Sequence, residues 1–152
     1  MKLSSNLKTV LAAGAMLAAT FAATGGANAA DIRFRCDASG ATDISMGAKY
    51  ILRTPVTATS RKQFSTEFEA GPGSGFAAGN KLIVFVKSNR VGAMTLAPVV
   101  GGDVVGDLNF DTRPDPLDDE LPFPASWPAG VGKGSKVNLM RGTKLVLGCT
   151  LN

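Results

Sequence analysis

The fold can be predicted from the stretch Thr143-Lys-Leu-Val-Leu-Gly-Cys-Thr-Leu-Asn152. From Leu145 to Leu151, apolar residues occupy every second position, which is the period of a half-buried β-strand. The same alternation occurs near the other end of the chain, in Asp31-Ile-Arg-Phe-Arg-Cys-Asp37. These two segments hold the only cysteines, Cys36 and Cys149. We therefore expect one disulfide bond that joins the first strand to the last, side by side or across the core.

The first thirty residues have the pattern of a bacterial export signal. Lys2 and Lys8 form a basic start, residues 10–21 an apolar run, and Ala27-Asn-Ala29 a small-residue cleavage site. The apolar run is too short to span a bilayer. Residues 1–29 are predicted to be a signal peptide, and residues 30–152 a single domain without an integral membrane segment. The expected location is the periplasm or the outside of a bacterial cell.

The charge of the exported part is nearly balanced. Loss of the signal peptide removes Lys2 and Lys8 from sixteen Lys and Arg residues, which leaves fourteen against twelve Asp and Glu. A nucleic-acid-binding surface needs a concentrated basic face. The balance therefore argues against nucleic acid as a partner.

Seven or eight short strands follow from the alternation of apolar and polar residues. Residues 61–70 alternate most clearly, and Lys81-Leu-Ile-Val-Phe-Val-Lys87 is typical of a central strand covered on both faces. Turns rich in Gly, Pro and Asn separate the strands. The sequence predicts an all-β fold, an antiparallel Ig-like β-sandwich, with a small closed barrel as the alternative. The residues expected in its core are Phe34, Phe64, Phe68, Leu82, Val84, Leu108, Leu145 and Leu147.

The chain contains no histidine, which narrows the enzyme classes it could belong to. Without histidine there is no Ser-His-Asp triad and no imidazole metal site. Two carboxylates could still hydrolyse a glycoside, with Glu67 or Glu69 as one of them. Both residues lie on the polar side of an ordinary strand pattern, so a non-enzymatic protein is expected.

One acidic segment has spacings like those of a calcium loop. Its oxygen-bearing residues occupy positions 1, 3, 5, 9 and 12 of an EF-hand-like pattern, and they are Asp107, Asn109, Asp111, Asp115 and Asp118. Position 6 is Thr112 instead of glycine, and position 12 is Asp instead of Glu. No cofactor is therefore expected, and calcium is kept as the one candidate. The simpler interpretation is the outward face of a strand.

The proline-rich stretch of residues 112–134 contains the best candidate for recognition, residues 112–130. No strand or helix period runs through it, and loops of this length are usually functional or disordered. Phe123 and Trp127 could form an exposed ridge that stacks on a partner, or they could fold back and cap one end of the sandwich. The candidate partner-binding residues are Phe123, Trp127, Asp118, Asp119 and Glu120.

The sequence thus predicts an exported, non-catalytic binding or surface-structural module. Its partner would be a protein or carbohydrate surface, and homo-oligomerisation, including assembly through an exposed edge strand, is compatible with the pattern. The alternative is a small exported hydrolase or calcium-dependent protein that uses the acidic segment 103–120.

Overall fold

A computed structural model of the chain describes residues 31–53 and 60–152. The predicted signal peptide lies outside these residues. The described chain forms ten strands and one short 3₁₀ helix: β1 (Ile32–Gly40), β2 (Ile44–Leu52), β3 (Lys62–Ala70), β4 (Lys81–Val86), β5 (Asn89–Thr95), β6 (Ala97–Pro98), β7 (Val104–Asp111), the 3₁₀ helix (Pro116–Asp118), β8 (Glu120–Pro122), β9 (Lys136–Arg141) and β10 (Lys144–Thr150). None of the helical residues in the described ranges forms a segment long and apolar enough to cross a membrane.

The strands form two sheets. The large sheet has the order β1-β2-β3-β7-β6, with β8 as an additional parallel partner of β7, and the small sheet has the order β10-β9-β4-β5. All other pairs are antiparallel. The all-β prediction is confirmed, and the closed barrel is wrong. The structure has more strands than expected because β6 and β8 are only two and three residues long.

The alternating run of residues 91–100 does not stay in one sheet. Its first part, β5, pairs with β4 in the small sheet, and its second part, β6, pairs with β7 in the large sheet. Leu96 lies at the change and is 2% exposed. Its N–H donates to the Asn80 carbonyl at 2.9 Å, so the crossing residue has both its side chain and its backbone fixed.

One hydrophobic core lies between the sheets. Glycine allows the close approach of β5 and β7, because a Cβ at Gly92 would lie 2.8 Å from Leu108 and one at Gly106 would lie 2.8 Å from Leu96. Real Cβ contacts do not reach that distance, so a larger residue there would displace the side chain of Leu108 or Leu96 in the core. This close approach accounts for glycine at two positions inside otherwise apolar strands.

Most of the predicted core is confirmed. Phe64, Phe68, Leu82, Val84, Leu108 and Leu147 are buried, and Phe34 is half-buried against the core. Leu145 was predicted to be buried and is 55% exposed. The reason is an irregularity between Leu145 and Leu147, which pair with Met140 and Leu139, respectively. A step of two residues along β10 therefore lies opposite a step of one residue along β9, so the side chain of Leu145 points outward.

The predicted disulfide bond between Cys36 and Cys149 is confirmed. Its Cα atoms lie 5.6 Å apart, within the usual range. β1 and β10 are the end strands of different sheets, so the bond joins the two sheets at one edge. Beside it, the backbones of Arg35 and Asn152 exchange hydrogen bonds of 3.2 and 3.1 Å.

Candidate functional site

The aromatic residues of the long loop lie over one end of the core. The ring of Trp127 is 4.7 Å from Phe123, 5.0 Å from Phe64 and 5.9 Å from Tyr50, measured between centroids. Phe123 also packs on Phe110 at 5.7 Å. Both loop rings are partly buried and belong to the periphery of the core. This packing favours the cap over the exposed ridge, and a direct role of the two rings in partner binding stays a prediction.

The loop begins at an ion pair whose carboxylate is buried. Asp111 is fully buried, and its carboxylate accepts hydrogen bonds from Nε of Arg61 at 3.0 and 2.9 Å and from the backbone N–H of Arg113 at 2.7 Å. The second guanidinium nitrogen of Arg61 lies 2.7 Å from the same carboxylate. Burial alone would raise the pKa of Asp111, but these hydrogen bonds outweigh it and hold the pKa below its ordinary value. Asp111 therefore fixes the start of the loop as an ionised carboxylate.

The other acids of the segment have separate roles. Asp115 caps the 3₁₀ helix by accepting from the N–H of Leu117 at 2.9 Å, and Glu120 accepts from the N–H of Asp115 at 3.0 Å. Asp118 and Asp119 are exposed. Asp118 and Glu120 line one side of a shallow cavity of about 210 Å³ above the large sheet. Two of the predicted partner-binding residues thus line one cavity, whose lining does not include Phe123 or Trp127.

The five predicted calcium ligands are divided between these roles. Asn109 donates to Asp107 at 2.8 Å, Asp111 is held by Arg61, and Asp115 caps a helix. Within residues 31–53 and 60–152 there is no group of three or more His, Cys, Asp or Glu residues that could hold a metal ion. The calcium prediction gains no support from this arrangement.

The outer face of the large sheet is polar and carries both signs of charge. One row across the strands pairs Asp37 with Gly47, then Glu67, then Asp107. The neighbouring row begins with Arg35 and Lys49, which are Cα partners. Residues of both rows line a trough of about 480 Å³. The carboxylates in it have cations close by, so the face has no single sign of charge.

The outer face of the small sheet has a different character, because a row of apolar side chains crosses it. The buried residues of β4 and β9 alternate with outward ones, and the outward ones are paired across the strands. This apolar row consists of Ala93, Ile83, Met140 and Leu145. Ala93 and Leu145 are exposed, and the other two are half-buried. Phe85 lies on the same face, two residues along β4 from Ile83, and is also half-buried.

This observation changes the interpretation of β4. The sequence predicted a central strand covered on both faces. One face does form the core, since Leu82, Val84 and Val86 are 0% exposed. The opposite face keeps Ile83 and Phe85 partly accessible to solvent.

The charged residues of the small sheet and its turns are all basic. Asp and Glu are absent between Glu69 and Asp103 and again after Glu120. The small sheet and its turns are built from these two acid-free stretches. Their cationic residues are Lys81, Lys87, Arg90, Lys133, Lys136, Arg141 and Lys144. We call the outward side of the small sheet, with its apolar row and with Lys81, Arg90 and Lys136, the basic face.

Sequence reasoning missed the basic face because it considered only the total charge. The balance of fourteen against twelve holds for the whole exported part, and the fold then separates the signs. Mapping the charges along the chain would have shown two long stretches without an acid. That those stretches form one sheet depends on the pairing of β4 with β9, which the alternation pattern does not reveal.

No protein-family model, no curated protein and no solved structure matches this chain.

Proposed function

We propose that this protein is an exported, non-catalytic binding module of a bacterium, and that it binds anionic partners through the basic face. The observation that supports this most is the segregation of charge. Seven Lys and Arg residues and no Asp or Glu occur in the two stretches that build the small sheet. A surface of one sign attracts partners of the opposite sign and raises their rate of association.

The outer face of the large sheet is a weaker binding candidate. Arg35 and Lys49 lie one row from Asp37 and Glu67, within about 7 Å along the strands. That distance is below the Debye length of about 8 Å at physiological salt. Opposite charges this close largely cancel each other's field for a partner that approaches from solution.

Two groups with shifted pKa values, Asp111 and Tyr50, have structural roles. A general acid needs a raised pKa, whereas Arg61 holds the pKa of Asp111 below its ordinary value. Burial raises the pKa of Tyr50, which is a core residue under the aromatic cap. Both shifts arise at structural positions.

Two further features support the remaining parts of the proposal. A disulfide bond, here Cys36–Cys149, persists in oxidising compartments, which agrees with the export signal expected in residues 1–29. Two sheets around one core with an inter-sheet disulfide are also features of Ig-like sandwiches, and we keep that arrangement as a proposal.

Chromatography on an immobilised polyanion tests the binding face. The variant Lys81→Gln/Lys136→Gln removes two charges from the basic face, and Arg35→Gln/Lys49→Gln removes two from the large sheet. We expect dextran sulfate to retain the wild type and the large-sheet variant equally, and to release the basic-face variant at clearly lower salt. Equal release of both variants would show that only net charge matters, and the proposal would be wrong.

A further inference from the structure

We propose that the basic face docks on the surface of an anionic phospholipid bilayer, with the apolar row at the level of the lipid headgroups. This inference rests on the proposed function and adds the class of partner. It depends on the combination of two features on one face, exposed apolar side chains and a surrounding set of cations without acids.

The apolar row is wide, and each of its members is at least partly accessible to solvent. It crosses all four strands of the small sheet, a width of about 14 Å at the usual strand spacing. Leu145 is the most accessible member, at 55% exposure, because the irregularity in β10 turns it outward. Phe85 widens the apolar surface toward the next row. Apolar side chains of a peripheral protein enter the boundary between headgroups and acyl chains in this way.

The cations lie where they can reach lipid phosphates. Lys81 is two residues from Ile83 on β4, about 7 Å along the strand, and Lys136 is four residues from Met140 on β9, about 13 Å. Arg90 is the Cα partner of Phe85. Basic residues therefore lie at both ends of the apolar row's strands, and lysine and arginine stems are long enough to bring the charge to the headgroup layer.

The outer face of the large sheet in a second copy fits the basic face less well than a bilayer does. Its acidic row of Asp37, Glu67 and Asp107 would match the charge. That row lies in a polar trough beside Arg35 and Lys49. It offers no apolar partner to the row on the small sheet and would set cations against the cations of the basic face.

A soluble polyanion also uses only part of the face. It would account for the cations and leave Ile83, Met140 and Leu145 without a role. An anionic bilayer supplies phosphates for the cations and an apolar boundary for these three residues. We therefore commit to the bilayer and treat the polyanion as an outcome of the test.

Co-sedimentation with vesicles tests the inference. The sample is the protein as it is purified from the expressing cell. Vesicles of phosphatidylcholine with phosphatidylglycerol are compared with phosphatidylcholine alone. We expect binding to the anionic vesicles, and Lys81→Gln/Lys136→Gln should lower the partition coefficient about 25-fold, at about fivefold for each cation. The matched variant Arg35→Gln/Lys49→Gln should bind like the wild type.

The apolar contribution is tested by Leu145→Ser, with Leu117→Ser as its control. Leu117 is 91% exposed in the loop beyond β7, away from the basic face. We expect Leu145→Ser to lower partition into the anionic vesicles by about tenfold and Leu117→Ser to leave it unchanged. Both side chains are exposed, so neither variant should alter the thermal midpoint, which is measured alongside.

The remaining outcomes separate the two proposals. If Leu145→Ser partitions into anionic vesicles like the wild type, the basic face recognises charge alone and the bilayer inference is wrong. If dextran sulfate is bound through the basic face while anionic vesicles are not, the inference fails and the proposed function stands. If the basic-face variant and the large-sheet variant bind dextran sulfate equally and also bind anionic vesicles equally, both proposals fail. Self-association that Leu145→Ser abolishes, without vesicle binding, would overturn the bilayer in favour of a second copy.

Discussion

Replacing Trp127 with alanine should destabilise the protein substantially. Its ring has neighbours at centroid distances from 4.7 to 6.0 Å, namely Phe123, Phe64, Tyr50 and Phe110. Truncating a buried aromatic side chain to alanine costs about 3–5 kcal/mol. Trp127 is only partly buried, so we expect the lower end of this range, about 3 kcal/mol. That is a large part of the 5–15 kcal/mol typical of a domain.

Urea denaturation followed by far-ultraviolet circular dichroism is the suitable assay, because the variant loses the only tryptophan. Leu117→Ala is the control, since it truncates a 91% exposed residue of the same loop and should cost below about 0.5 kcal/mol. A loss at Trp127 as small as that of the control would contradict the cap. The ring would then be free for a partner.

A double-mutant cycle gives a second check on the same packing. Phe123 and Trp127 meet edge to face at 4.7 Å, an arrangement worth about 0.5–1.5 kcal/mol beyond area burial. The loss in the double alanine variant should fall short of the sum of the single losses by about that amount. Simple additivity would mean that the two rings contribute independently.

Three further predictions concern the disulfide bond, the ion pair of Arg61 with Asp111, and export. Replacing Cys36 and Cys149 with alanine should lower the free energy of unfolding by up to about 4.8 kcal/mol, since the bond closes a separation of 113 residues; a loss below about 1 kcal/mol in urea denaturation would contradict this. Asp111 has a lowered pKa in the folded protein. Its contribution to the free energy of unfolding is therefore complete above about pH 4 and is lost as the pH falls through the lowered pKa. Asp111→Asn should therefore cost about 1–2 kcal/mol at neutral pH, since it weakens the partner of Arg61, and its acid unfolding curve should be shallower; an unchanged curve would exclude the ion pair. Mass spectrometry of the protein from an expressing bacterium should find a chain that begins after Ala29, and an uncleaved chain would contradict the export prediction.

The strands could be predicted because burial follows a local period. In β3 the buried Phe64 and Phe68 alternate with polar residues, so the pattern alone identifies the inward side. Leu145 shows the limit of this reasoning. Its orientation depends on one extra residue of β10 opposite β9. Such an irregularity belongs to the pair of strands and cannot be seen in the alternation of one strand alone.

The candidate site could not be predicted because it depends on which strands become neighbours. Lys81 and Lys136 are more than fifty positions apart and reach one face only because β4 pairs with β9. The same holds for Arg61 and Asp111, which are separated by fifty residues and meet where β3 begins and β7 ends. Alternation placed Asp111 on an outward, solvated strand face. The structure buries it under Arg61, a long-range contact with no local signal.

The bond at the edge of the two sheets also determines how the domain would respond to mechanical load. A pulling force applied at residues 31 and 152 would pass through Cys36 and Cys149, and the 113 residues of separation between them would carry none of it. Only the short segments before Cys36 and after Cys149 could lengthen, once the hydrogen bonds between Arg35 and Asn152 gave way. Under tension the oxidised domain is therefore a nearly inextensible link, and reduction would convert it into one that can unravel strand by strand.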